Sequence, residues 1–168
     1  MDEAVIGSLI ASTLRVSTLL ILCALAELLS ERSGVIDIGL EGKMLFAAFA
    51  AGAAGVTFGS TTIALLIAMG TTVLLSWLHG VACVSHRGDQ VVSGVAINII
   101  AVGMTAVLGI AWFAQGGQTP PVSNEVRMQA LMPGAVAALQ DVPFVGVIIG
   151  QGLLSHNIMV YATLLLVP

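Results

Sequence analysis

The sequence predicts an all-α, polytopic membrane helix bundle of about five spans with one broken or re-entrant segment. Three observations carry that prediction. Of 168 residues, 58% are hydrophobic and only 8% charged, whereas a soluble domain has about 45–50% apolar and about 25% charged residues. The mean hydropathy of +1.07 leaves too little polar surface to cover an apolar core. The five basic and nine acidic side chains are clustered, and the gaps between clusters approach the roughly 20 apolar residues that a spanning helix needs. A soluble enzyme, a nucleic-acid binder and a disordered region are excluded by the same figures. The net charge of −4 offers no polybasic surface to anionic lipid or nucleic acid. Membrane strands would be about 10 residues with alternating polarity, and these runs are longer and apolar all round.

The first span is predicted over residues 8–29 and carries Arg15. Its acidic flank, Met1-Asp2-Glu3, and the absence of a small-residue cleavage site separate it from a secretory signal. A polar, glycine-bearing segment follows, and the next apolar run, 44–58, crosses only about 22 Å as a helix. Part of 33–43 must therefore help to cross the bilayer, and it is read as the broken segment. Further spans are predicted over 62–85, 91–114 and 144–167, with a tight polar loop at 86–90. The proline-bearing stretch 115–143 is predicted to be an extracytoplasmic loop. Arg32, Lys43 and Arg87 fall on one side of this topology and Arg127 on the other, which places the N-terminus and 115–143 outside. Small residues at Ala47, Ala51 and Gly55, and the pair Gly146 and Gly150, read as helix-packing stripes.

No catalytic, cofactor-binding or metal-binding constellation is present in the sequence, and the chain is not expected to be an enzyme. His79, His86 and His156 are scattered, and Cys23 and Cys83 sit in apolar runs as small filler. The chemistry concentrates between Glu27 and Lys43, where charges crowd against a span and Gly34, Gly39 and Gly42 interrupt the helix pattern. Irregular backbone at membrane depth survives only inside protein or along a cavity. Arg32, Gly34, Asp37, Gly39, Glu41, Gly42 and Asn98 are accordingly the candidate pathway-lining or helix-breaking residues. Arg15 and His156 are the other intramembrane polar residues; Arg15 is expected to pair or to face water, and His156 to be a hydrogen-bonded histidine of the bundle, with a proton relay as its alternative.

Residues 31–42, reading ERSGVIDIGLEG, resemble the ERxGVxNIGLEG signature of ABC-transporter permeases of the branched-chain amino acid and ribose type. The segment 89–98, reading DQVVSGVAIN, resembles their second signature, and the loop and last run follow the same layout. The likeness is closest to the simple-sugar and nucleoside importers, and it departs from the signature at Asp37, where asparagine is expected. The resemblance implies a multi-pass permease of a bacterial-type cytoplasmic membrane. Its partners would be ABC ATPase subunits, a second permease subunit, an extracytoplasmic substrate-binding protein and membrane lipid, with no nucleic acid. It also implies a protein about twice this length, so the chain reads as an N-terminal half, lacking the segment that docks the ATPase. The alternatives are an ion-coupled carrier or channel using Arg15, Asp37 and Glu41, and a truncated, non-transporting membrane protein.

Overall fold

The computed structural model describes residues 3–131, 133–139 and 146–166, and no strand occurs among the described residues. Helix α1 runs Glu3–Arg32, α2 Leu40–Phe58, α3 Thr61–Gly80 and α4 Gln90–Phe113; short helices α5, Pro133–Leu139, and α6, Ile158–Leu166, follow. Wider π-helical turns extend α3 over Val81–Ser85 and occupy Gly146–Leu153. Three stretches, Val5–Arg32, Thr61–Ser85 and Gln90–Phe113, are long and apolar enough to cross a membrane. Their outward faces carry leucine, valine and isoleucine, as expected where lipid, not water, is the solvent. The chain divides into two compact units, one of Met1–Ala26 with Met128–Pro168 and one of Glu27–Arg127.

In the Glu27–Arg127 unit, α2 packs against both α3 and α4. Its N-terminal boundary differs from the sequence reading. The break covers only 33–39, because Leu40 to Lys43 already form the first helical turn, with the Lys43 N–H bonded to the Gly39 carbonyl at 3.1 Å. At its far end Gly59, with φ of 62°, turns the chain out of α2, and its N–H bonds back to Gly55. A left-handed residue at that place closes the helix without a Cβ penalty. Asp89 starts α4 by accepting the Val91 and Val92 N–H groups at 2.8 and 3.1 Å, satisfying two of the donors a helix start leaves open.

The small residues of α2 serve two different neighbours. A Cβ on Gly42 would sit 2.7 Å from the Asn98 Cα, and one on Gly94 would meet the Gly39 nitrogen at 2.9 Å. Backbone therefore crosses backbone where α2 meets α4. On the other side, Gly52 and Gly55 receive Thr119, Val122 and Val126 from the stretch after α4. Thr61 anchors that stretch by donating to the Val126 carbonyl. The stripe read as a helix–helix seam is thus partly a seat for an extended loop, which a Gly-lined groove admits as readily as a helix.

In the other unit, the run expected as one span over 144–167 is divided at 154–157; residues 144, 145 and 167 lie outside the described residues, as do 132 and 140–143 of the expected loop. The cause is local polarity. Asn157 accepts the Val160 N–H at 3.3 Å and begins α6, and Tyr161 donates to the Leu153 carbonyl at 2.8 Å. His156 is buried with one ring nitrogen 3.3 Å from the Leu153 carbonyl and the other 3.1 Å from that of Ala11 on α1. These side chains take over carbonyls that a continuous helix would satisfy itself. Gly152 lies against Ile10, its notional Cβ 3.1 Å from the Ile10 side chain.

The crossing at Gly42 can be tested by overpacking. Gly42→Val is expected to lower the thermal stability of the purified protein by about 1–3 kcal/mol, whereas Gly70→Ala, with open space around its Cβ position, should leave it unchanged. Detergent-solubilised melting curves of the two variants check this.

Candidate functional site

The polar side chains of the Glu27–Arg127 unit converge on the helix break. Residues 33–36 leave α1 through Gly34, whose φ of 88° suits only glycine without strain. Asp37 then folds back locally, its Oδ1 accepting the Gly39 N–H at 3.2 Å, an Asx-type turn that leads the chain into α2. Its other oxygen pairs with the Lys43 ammonium one helical turn into α2. Lys43 is 1% exposed and Asp37 8%. Moving two such charges out of water costs several kcal/mol per ion, recovered only when both are paired and hydrogen-bonded.

Each packed helix adds a polar hold on the break. From α1, Glu27 accepts the Asp37 N–H at 3.1 Å through Oε1; its buried Oε2 has no partner among the described residues. From α3, His79 places Nε2 3.2 Å from the Ile36 carbonyl and 3.8 Å from Asp37 Oδ1, with Nδ1 3.0 Å from the Ser93 hydroxyl. A carbonyl only accepts, so Nε2 carries hydrogen. From α4, Gln90 accepts the Ile36 N–H at 2.8 Å and donates to the Gly34 carbonyl at 3.1 Å. Asn98 does the same one level deeper, taking the Gly42 N–H at 2.7 Å and donating to the Ile38 carbonyl at 3.1 Å. The Gly42 N–H belongs to the first turn of α2, where no intrahelical partner exists. A side chain of α4 therefore caps α2.

Of the residues singled out in the sequence, Asp37, Gly39, Gly42 and Asn98 meet here. Gly34 shapes the approach, and Arg32 and Glu41 stand exposed beside it. Arg15 is exposed on α1 and His156 is buried in the other unit, and neither belongs to this network. Sequence reasoning missed Lys43, His79 and Gln90 as partners of the break. The signal for Lys43 was available: a lysine at the start of an apolar run requires a nearby acid, and Asp37 supplies it.

Where the α2–α4 crossing ends, the helices diverge around a cavity of about 660 Å³ bounded by α2, α3 and α4. Its walls are apolar apart from Thr57 and Thr71. Phe49, buried on α2, stacks with Trp112 at 6.4 Å between ring centroids and meets Phe113 edge-on at 6.5 Å.

The ion pair makes a two-sided prediction. Asp37→Asn leaves Lys43 buried without a counter-charge and should destabilise the protein by about 3–5 kcal/mol. The double change Asp37→Asn with Lys43→Met removes both charges and should recover most of that loss. Equal stability of the two variants in melting curves would show that the pair is not coupled.

Residues 9–167 match the family described as branched-chain amino acid transport system, permease component. The chain is 35% identical over 164 residues to a guanosine ABC transporter permease protein of Bacillus subtilis, covering 94% of this chain and 50% of that protein. It is 37% identical over 114 residues to a nucleoside ABC transporter permease protein of Lactococcus lactis subsp. cremoris, covering 64% and 36%. A putative glucose ABC transporter permease protein of Haloferax volcanii is 31% identical over 106 residues, covering 63% and 32%. No solved structure matches. The chain spans half the length, or less, of these relatives. With nearly all of its residues inside the match and its spanning helices in place, the chain belongs to the branched-chain amino acid transport system permease family, whose members are membrane subunits of transporters.

Proposed function

We propose that this chain forms part of the permease of an ABC importer and lines part of the path of a nucleoside or simple sugar. The observation that carries the reading is the helix break at 33–39, in which Asp37 and Gly39 are buried and the backbone is held by side chains of α1, α3 and α4. Interrupted helices packed against their neighbours are a feature of transporters. The relatives named for guanosine, nucleosides and glucose support the same substrate range. In this reading ATP is hydrolysed by separate ATPase subunits. A second permease subunit completes the path, and an extracytoplasmic binding protein delivers the solute.

Orientation follows from the basic residues. Lys43 is neutralised by Asp37 and no longer weighs, but Arg32 and Arg87 stay exposed, and Gln90 ties the start of α4 to residues 34–36. We place that end in the cytoplasm and the stretch after α4, with Arg127, outside. An ion-coupled carrier built on Arg15, Asp37 and Glu41 is less well supported, because Asp37 is committed to Lys43 and the other two are not gathered beside it.

Two measurements test the reading. With Cys23 and Cys83 replaced by alanine, cysteine at Ser123 should react with an impermeant maleimide in intact cells, and cysteine at His86 only after the membrane is opened. Labelling of both in intact cells would overturn the topology. In the assembled importer, solute uptake should require this chain and fall to background when the ATPase is inactivated. Uptake unaffected by ATPase inactivation would favour a carrier or channel.

A further inference from the structure

We infer that residues 114–127 are a clasp on the solute path. Seated along α2, they hold the end of α4 remote from the break against the α2–α3 hairpin, and that end opens only when the clasp leaves its seat. The inference rests on the importer reading for the path and on packing for the clasp. At that end α2 and α3 are joined by the turn at Gly59 and Ser60, so they cannot part there. α4 can, because its chain runs on through Ala114 into the stretch that folds back on α2. The cavity of about 660 Å³ lies between these three helices, and a separation of α4 would widen it.

The fold-back is built at two places. Where α4 ends, Ala114 and Gly117 turn the chain with φ of 55° and 68°, and the Gln115 N–H bonds to the Gly109 carbonyl at 3.0 Å. The turn lies so close to α4 that a Cβ on Gly109 would stand 2.4 Å from the Gln115 carbonyl oxygen. Glycine adopts a positive φ freely and alanine does not. A left-handed alanine is retained where the structure around it holds it, and the seat on α2 supplies that hold from the far side. Thr119 lies over Gly52, whose notional Cβ would be 2.5 Å from the threonine hydroxyl oxygen. Val122 and Val126 lie over Gly55 at 3.4 and 3.5 Å.

This seat differs in kind from the network at the break. There, separation would strand an ion pair and a capped N–H. Here, methyl groups meet glycine backbone, and Glu125 and Arg127 stand exposed. The Thr61 hydroxyl that bonds the Val126 carbonyl sits at the start of α3, where water can replace that partner. Phe49 meets Trp112 and Phe113 across the cavity through ring contacts. A groove of small residues gains by close contact and asks for no hydrogen bond. The clasp can therefore leave and return without leaving a buried polar group unpaired.

The test uses the assembled importer with Cys23 and Cys83 of this chain replaced by alanine. Gly52→Cys with Thr119→Cys places two Cβ atoms 3.3 Å apart, near the roughly 3.8 Å of a disulfide. Oxidation should join them and take ATP-dependent uptake of labelled inosine, ribose or glucose to background, and dithiothreitol should restore it. Uptake by the oxidised pair at the reduced rate overturns the clasp. So does failure of the disulfide to form in protein that keeps the parent melting temperature. A second variant needs no transport. Gly52→Val fills the place of Thr119 and should unseat the clasp. Spin labels on Phe58→Cys of α2 and Ala111→Cys of α4, both exposed positions beside the cavity, should then report a longer mean separation, and an unchanged separation overturns the clasp. The two claims fail separately. ATP-dependent uptake that oxidation leaves untouched removes the clasp and keeps the importer reading. A lengthened separation in a chain that shows no ATP-dependent uptake of inosine, ribose or glucose keeps the clasp and removes the importer reading.

Discussion

The burial of Lys43 is the constraint on which the rest of the Glu27–Arg127 unit depends. An ammonium that is 1% exposed among apolar helices must have a counter-charge within contact distance. Asp37 provides it only because the chain between them stops being a helix and starts again. A continuous helix would put residues six apart on different faces. The break thus brings the charges together, and the charges in turn hold the break. Once Asp37 is fixed, Gly39 and Gly42 must pass close to α4; a Cβ on Gly39 would press on Gly94, and at Gly42 only a residue without a Cβ fits. Asn98 then lies where it can take the free N–H of the new helix and return a hydrogen to the Ile38 carbonyl.

The same arrangement determines how the unit would move. Glu27, His79, Gln90 and Asn98 reach the break from three helices, and each hydrogen bond in lipid is worth about 0.6–2 kcal/mol. Releasing any one helix would strand a partner of a buried charge or an open backbone group, so α2, α3 and α4 are coupled near residues 37–43. The coupling is one-ended. Beyond the crossing, the hydrogen bonds identified among the described residues join no α2 side chain to α4, and the space between them is the cavity beside Phe49 and Trp112. In a permease of the kind proposed, a body pinned at one end and open at the other is suited to rocking, the motion by which alternating access proceeds around a fixed site.

Much of this was legible in the sequence, and the missing parts have physical causes. The long helices α3 and α4 followed from uninterrupted apolar runs on either side of the charged turn at 86–90, and the break followed from glycines and charges set against a span. Asn98 stood among the candidate pathway-lining or helix-breaking residues, but its partners were not readable. The pairing of Asp37 with Lys43 was missed because helix spacing rules do not apply across a break. His79 and Gln90 were missed because each meets residues 43 to 56 positions away, a proximity that depends on how α3 and α4 cross. The last run was misread as continuous because three consecutive polar residues, Ser155 to Asn157, hardly lower the mean hydropathy of a long window. They interrupt the helix all the same, since Asn157 and Tyr161 compete for backbone groups at one place.

Charged residues inside a membrane are usually the first suspects for a transport path, and Asp37 drew that suspicion here. The structure assigns its charge to architecture instead. A buried pair such as Asp37 and Lys43 binds too tightly to be made and broken by a passing neutral solute, because each charge exposed to lipid would cost several kcal/mol. Conduction needs contacts strong enough to admit a ligand and weak enough to release it. Aromatic faces meet that requirement, with about 0.5–1.5 kcal/mol per ring pair beyond burial. The division of labour follows from the energies: the strong interactions hold the helices at the break, and the weak ones face the space that the helices enclose.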